Sequence, residues 1–224
     1  MTSRFDRERS GFVGFREEIK LKPLVLTEME KAIDEVFWTY DTSIRENRFI
    51  VGGVVEFIVG AALRACGVSV RHKGLIETDI DLLLDNSDVG YSLKAIFKGS
   101  GTHLVNTLGE GATVDRWQTG TIFVVTGVGL VYADPDLEWW LAHRDECLTA
   151  RPDAIVVKKA CIVRFAREQA EWVVPCRLPS KDGEKARLHP TRTASADLAA
   201  QVLIHYPKLH AEFGALRPGE ETEQ

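Results

Sequence analysis

Asp79 and Asp81 stand two apart in the run ETDIDLLLD, and Lys94 follows soon after in YSLKAIF. In an extended strand, residues two apart share a face. Both aspartates therefore point one way, and Ser92 and Lys94 share a face on the next strand. With the turn centred near Asn86–Ser87, Asp81 lies opposite Ser92 and Asp79 opposite Lys94. Two carboxylates and an ammonium then converge at one end of a hairpin. Such groups are costly to bury unless they pair or bind a metal. A strand that otherwise reads Ile, Leu, Leu, Leu has no packing reason to carry two aspartates; exposure on an edge strand is the plain alternative.

Glu56 is a third acid, alone among apolar neighbours in VGGVVEFIVGAAL. An acid in such a place is either paired or functional, and Arg64 and Arg71 are the available partners. Three acids and a lysine suit Mg²⁺, which carboxylates ligate while water fills the remaining positions. Lys94 would then orient an attacking water or offset charge building up on a phosphate.

The elements that must position these groups are set by the chain's periodicity. Thr27 and Glu30 have the spacing of a capping box and open a helix through about Tyr40, striped by Met29, Ile33, Val36 and Phe37. A second helix is expected over Gly53–Cys66, apolar nearly all round and hence buried, with Gly67 as its stop. Strands are expected at Val68–Val70, Asp79–Leu84 and Tyr91–Phe97, with Asp85–Gly90 as a turn. Further strands are expected at Thr121–Tyr132 (bent at Gly127 or Gly129), Ala154–Phe165 and Trp172–Cys176. Short helices at Asp136–His143 and Ala194–His205 complete the pattern. Residues 1–25 read as an arm and 218–224 as a disordered tail. The order gives an α/β or α+β fold, a mixed central β-sheet flanked by helices. It forms one domain over 1–224 with its catalytic core at about 50–165.

The run from Glu56 through Asp79 or Asp81 to Ser92-Leu93-Lys94 resembles the PD-(D/E)XK nuclease superfamily. In that fold a helix glutamate, a strand aspartate and an acid-X-lysine on the neighbouring strand form the site. The stretch YSLKAIFKGSGTHLVNTLGEG is similar to the segment after the lysine in type II restriction endonucleases. The resemblance spans about residues 50–110 and implies a restriction-endonuclease-like core. It implies a Mg²⁺-dependent endonuclease, with Mn²⁺ as a substitute, cutting a specific double-stranded DNA sequence. Asp79, Asp81 and Glu56 would be the metal ligands and Lys94 the catalytic lysine. A homodimer and a cognate methyltransferase acting on the same site would accompany that activity. The sequence departs from the motif at Ser92, where the second acid belongs. Some restriction enzymes with a serine there recruit a helix glutamate; Glu56 is the first candidate and Glu110 the second. A repair or recombination nuclease on the same core, and a catalytically inactive DNA-binding relative, are the alternatives. A soluble α/β domain with coincidental acids is the reading from outside the class.

Arg71 and Lys73 lie close to the acid segment, and with His103 and Asn106 they are candidate DNA contacts. Arg64 and His72 belong to the same basic cluster. Further basic residues gather at Lys158–Arg167 and Lys181–Arg192. The net charge of −5 gives no global attraction to nucleic acid, so a DNA enzyme must concentrate its cations on one face. The five tryptophans read as core or interface residues rather than base-stacking platforms. His143 and Cys147 have helical metal spacing but no second ligand pair. Four scattered cysteines argue against a disulfide framework, and no stretch is apolar enough for a membrane span; both suit the cytoplasm.

Overall fold

The computed structural model describes residues 5–74, 80–96, 102–103, 119–125, 129–134, 154–158, 162–164, 171–177 and 191–217. The chain begins with three helices: α1 (Asp6–Leu21), α2 (Pro23–Thr39) and α3 (Arg45–Ala65). Strands β1 (Val70–His72), β2 (Leu82–Leu84), β3 (Gly90–Ile96), β4 (Thr102–His103), β5 (Gly120–Val125) and β6 (Gly129–Ala133) follow. Then come β7 (Ala154–Lys158), β8 (Ile162–Arg164), β9 (Glu171–Arg177), α4 (Thr191–Leu203) and α5 (Pro207–Leu216).

Six strands form a mixed sheet in the order β1-β2-β3-β5-β6-β8. Every neighbouring pair is antiparallel except β3 and β5, which run parallel. A second sheet has the order β4-β9-β7. The fold is thus mixed α and β, with helices packed on a mixed sheet.

Alternation decides which side chains meet the helices. Val70, Leu82, Tyr91, Leu93, Ile122, Val124, Leu130 and Tyr132 all enter one apolar core with α1, α2, α3, α4 and α5. Their strand neighbours Leu83, Ser92, Lys94, Phe123 and Val131 therefore point to the opposite face. Helix α3 is the central pillar. Val51, Val54, Val55, Phe57, Ile58, Val59, Ala61, Ala62 and Leu63 are all buried, as its all-round apolar sequence requires. It ends where the sequence places its stop. Gly67 adopts φ +85°, and Val68 N–H returns to the Leu63 carbonyl at 3.0 Å, closing a Schellman-type cap.

Four expectations are corrected. Residues 1–25 are not an arm: α1 fills most of that span and buries Phe12, Phe15 and Ile19, spaced three and four apart on one stripe. The helix expected to open at Thr27 starts at Pro23, which is favourable at a first helical position; Thr27 and Glu30 sit inside it. Thr121–Tyr132 is two antiparallel strands rather than one bent strand, with Val125 paired to Gly129. Ala154–Phe165 is likewise two strands, β7 and β8, in different sheets. Helix α5, absent from the expectations, starts at Pro207 and buries Leu209, Phe213 and Leu216. The segments 136–143, 180–185 and 218–224 lie outside the described residues.

Candidate functional site

The β2–β3 register is the one the turn implies. Leu82 pairs with Tyr91 and Leu83 with Gly90, which carries Asp81 opposite Ser92. The turn between them is tight: Asn86 takes a left-handed φ of 56°, a conformation asparagine tolerates well, and Ser87 Oγ donates to the Leu84 carbonyl at 2.9 Å. A Cβ at Gly90 would collide with the Leu82 carbonyl, so only glycine lets the strands approach there.

Asp81 sits where this ladder ends. Its backbone N–H donates to the Tyr91 carbonyl at 2.9 Å, and its own carbonyl accepts from Lys73 N–H at 3.1 Å. Its side chain then takes over from the ladder. Asp81 Oδ2 accepts the Leu93 N–H at 2.6 Å and the Ser92 hydroxyl at 3.2 Å. Because the Leu93 N–H lies in the plane of the sheet, the carboxylate is held near that plane, at the mouth where β2 and β3 part. Lys94 Nζ stands 3.6 Å from the same oxygen and donates to the Leu93 carbonyl at 3.1 Å. The carboxylate is almost fully buried, and the Lys94 side chain retains 18% exposure. The arrangement is a desolvated carboxylate and a partly exposed ammonium side by side.

Glu56 reaches the sheet from the helix layer. Its Oε2 lies 2.8 Å from His72 Nε2, and His72 is buried on β1. Arg64, expected as a possible partner of Glu56, instead donates to the Val70 carbonyl at 2.9 Å and contacts Asp85 and Glu212. Arg64 is drawn there because it lies at the C-terminal end of α3, two turns beyond Glu56. Arg71 and Lys73 are exposed on either side of His72. Arg71 lines an open cavity of about 760 Å³ with Arg7, Asp85, Asn86, Ser87 and Asp88.

The structure thus brings together Asp81, Ser92 and Lys94. It ties Glu56 to a histidine that the sequence marks only as one of a basic cluster. Asp79, Asn106, Glu110, His143 and Cys147 lie outside the described residues, and of His103 only its place in β4 is described. Trp38, expected in a core or interface, is 89% exposed on α2.

Among the described residues no group of three or more His, Cys, Asp or Glu side chains gathers that could hold a metal ion. Mg²⁺ binds through one or two carboxylates and keeps several waters. Asp81 supplies one carboxylate, almost fully buried, whose Oδ2 already accepts two hydrogen bonds. No protein-family model, no curated protein and no solved structure matches the chain. No helix among the described residues is long and apolar enough to cross a membrane.

Proposed function

We propose that the chain is a Mg²⁺-dependent endonuclease that hydrolyses phosphodiester bonds in double-stranded DNA, on a restriction-endonuclease-like core. One observation carries this reading: Lys94 Nζ stands 3.6 Å from Asp81 Oδ2 on the neighbouring strand, where the β2–β3 ladder opens. The order of helix glutamate, strand acid and strand lysine supports it, since the resemblance to the PD-(D/E)XK nucleases implies that order.

Asp81, with Asp79 two residues upstream, would hold the cation; Glu56 lies on the helix side of the sheet, bound to His72, and is left out of that ligand set. When bound, the cation lowers the pKa of a water and polarises a phosphoryl oxygen. The protein's own share falls mainly to Lys94, which carries its charge beside Asp81 and keeps part of its side chain open to a substrate. Its ammonium orients the attacking oxygen or meets the charge that grows on the phosphate. Ser92 supplies no carboxylate; its hydroxyl fixes the Asp81 carboxylate instead. Arg71 and Lys73, exposed on the edge strand and just beyond it, are placed to contact phosphates without reading bases. A two-fold dimer would suit a palindromic target, and a cognate methyltransferase would protect it.

The hydrogen bonds Asp81 already makes favour one other reading, in which the cluster only terminates a ladder and the protein binds DNA without cutting it. Incubation of plasmid and phage DNA with the protein and Mg²⁺ or Mn²⁺ separates the two. Discrete fragments are expected from the wild type, with a loss of about 10²–10³-fold in rate for Lys94→Ala. Retention of intact DNA with either cation would leave the binding-only reading. Equal cutting by both proteins would remove Lys94 from the chemistry.

A further inference from the structure

Most arginines of this chain are already engaged. Arg9 grips Asp134, Arg16 meets Glu17, Arg48 donates to the Thr42 carbonyl, Arg64 contacts Asp85 and Glu212, and Arg217 reaches Asp197. Among the arginines whose side chains are described, Arg7 and Arg71 are the two that make no hydrogen bond or ion pair. Both are exposed, and both line the same open cavity of about 760 Å³. Arg7 comes to it from the first turn of α1 and Arg71 from the edge strand β1. The rest of the wall is the β2–β3 turn, Asp85 to Asp88. Neither acid of that turn pairs with these two arginines; Asp85 is instead 3.7 Å from Arg64 Nη1. Two guanidinium groups facing one cavity repel each other, and an anion held between them relieves that repulsion. Their planar forks of N–H donors match the oxygens of a phosphate.

The cavity also lies close to the Asp81–Lys94 pair. Val70 and His72 turn toward the helices, so Arg71 and Lys73 project from the other face of the sheet, the face that carries Ser92 and Lys94. Arg71 pairs with Leu83, two residues from Asp81. With about 3.4 Å per residue and about 4.8 Å between strands, its backbone stands roughly 8 Å from that of Asp81. That is about two nucleotides of rise along one strand of a duplex.

We propose that Arg7 and Arg71 together form a phosphate-binding site, which seats a phosphodiester of the DNA backbone beside the one held at Asp81. The inference rests on the nuclease reading above and adds α1 to its DNA surface. A chain of net charge −5 needs a local gathering of cations to hold DNA, and Arg7, Arg71 and Lys73 supply one next to Lys94. Asp88, exposed on the same wall, opposes the site.

Binding of the full chain to a labelled duplex, followed by anisotropy in EDTA and in Ca²⁺ over about 50–200 mM salt, tests the proposal. R7Q and R71Q each remove one exposed charge, so the fold is expected to be unaffected. Each is expected to bind about 5–10-fold more weakly at about 100 mM salt and to lower the salt slope by about 0.9. The double variant is expected to lose about twice that slope. The loss is expected to be the same on two duplexes of unrelated sequence, since phosphate contacts read no bases. R71K keeps the charge and is expected to keep the slope. K20Q removes the same charge about 20 Å away along α1 and is expected to bind within about twofold of wild type. D88N is expected to bind more tightly than wild type. Wild-type affinity and slope in both R7Q and R71Q overturn the site while DNA binding stands. Equal weakening by K20Q also overturns it, because the effect would then be one of net charge alone. A wild type that neither retains the duplex in EDTA or Ca²⁺ nor cuts it in Mg²⁺ overturns the nuclease reading itself, and this proposal with it.

Discussion

Asp134 and Asp81 are both carboxylates sealed from solvent beside a cation, yet the two pairs are built differently. Asp134, at the end of β6, meets Arg9 of α1. The guanidinium grips both oxygens, with Nη2 at 2.7 and 2.9 Å and Nε at 3.1 Å. That fork leaves the charge matched and the geometry closed. Asp81 and Lys94 stand 3.6 Å apart, and the ammonium spends a hydrogen bond on the Leu93 carbonyl instead. Asp134 locks a helix to a sheet. Asp81 is held by backbone and hydroxyl donors, so its cation is adjacent without being consumed. A closed pair is what architecture needs; an adjacent but open pair is what the proposed reacting centre would need.

The contrast is tested most directly by removing each cation. Arg9→Ala leaves a fully buried Asp134 without its counter-charge, and about 3 kcal/mol of stability is expected to go. That is the low end of the range for a buried pair, because Arg9 itself is 30% exposed. Lys94→Ala is expected to cost less, about 1–2 kcal/mol, since Asp81 keeps its two other donors. Urea denaturation of the two variants at neutral pH measures both. Equal losses would mean that the two pairs do the same job.

Neutralising the acid probes the open pair from the other side. Asp81→Asn keeps an oxygen for the Leu93 N–H and removes only the charge. About 1 kcal/mol of stability is expected to be lost. DNA cleavage in Mg²⁺ is expected to fall by at least about 100-fold. A variant that cuts like wild type would return Asp81 to a purely structural role.

How far the sequence reveals this arrangement depends on the range of the forces involved. The hairpin register is legible because a short turn with Asn86 and Gly90 leaves few pairings, and Asp81 opposite Ser92 comes from counting. Helix α3 is legible because an apolar run closed by Gly67 has one natural reading. Helix α1 is passed over, although Phe12, Phe15 and Ile19 mark its stripe, because Gly11, Gly14 and many charges dilute the local signal. Its helix is held by tertiary contacts, such as Phe12 stacked on Tyr132 at 5.3 Å. The Glu56–His72 contact is passed over for a related reason. Sixteen residues separate the partners, and Arg64 looks the better match until the helix direction sends it to Val70 and Asp85. Arg9 and Asp134, 125 residues apart, leave no local trace at all.

The weakest effect concerns the surroundings of the closed pair and emerges only in alkali. Tyr132 lies two residues before Asp134 and packs edge-on against Tyr91 at 6.3 Å, while the Tyr91 hydroxyl donates to the Glu8 carbonyl at 2.8 Å. Burial first, and then the Asp134 carboxylate, push the Tyr132 hydroxyl far above the ordinary tyrosine range; burial and Glu8 do the same for Tyr91. The folded protein therefore keeps these two protons where the unfolded chain begins to lose them, above about pH 10. The unfolded state then binds fewer protons than the native state, so stability falls as pH rises through that range and is undiminished by this route below it. Tyr132→Phe removes one of the two contributions. The variant is expected to match wild type within about 1 kcal/mol at pH 7, because one buried hydroxyl that meets no hydrogen-bond geometry is all that is lost. Its urea midpoint is expected to fall less steeply between about pH 9 and pH 11. A wild-type slope in that variant would show that the alkaline sensitivity arises outside the helix-side cluster, and the chemical distinction between the two aspartate sites would then lose its pH signature.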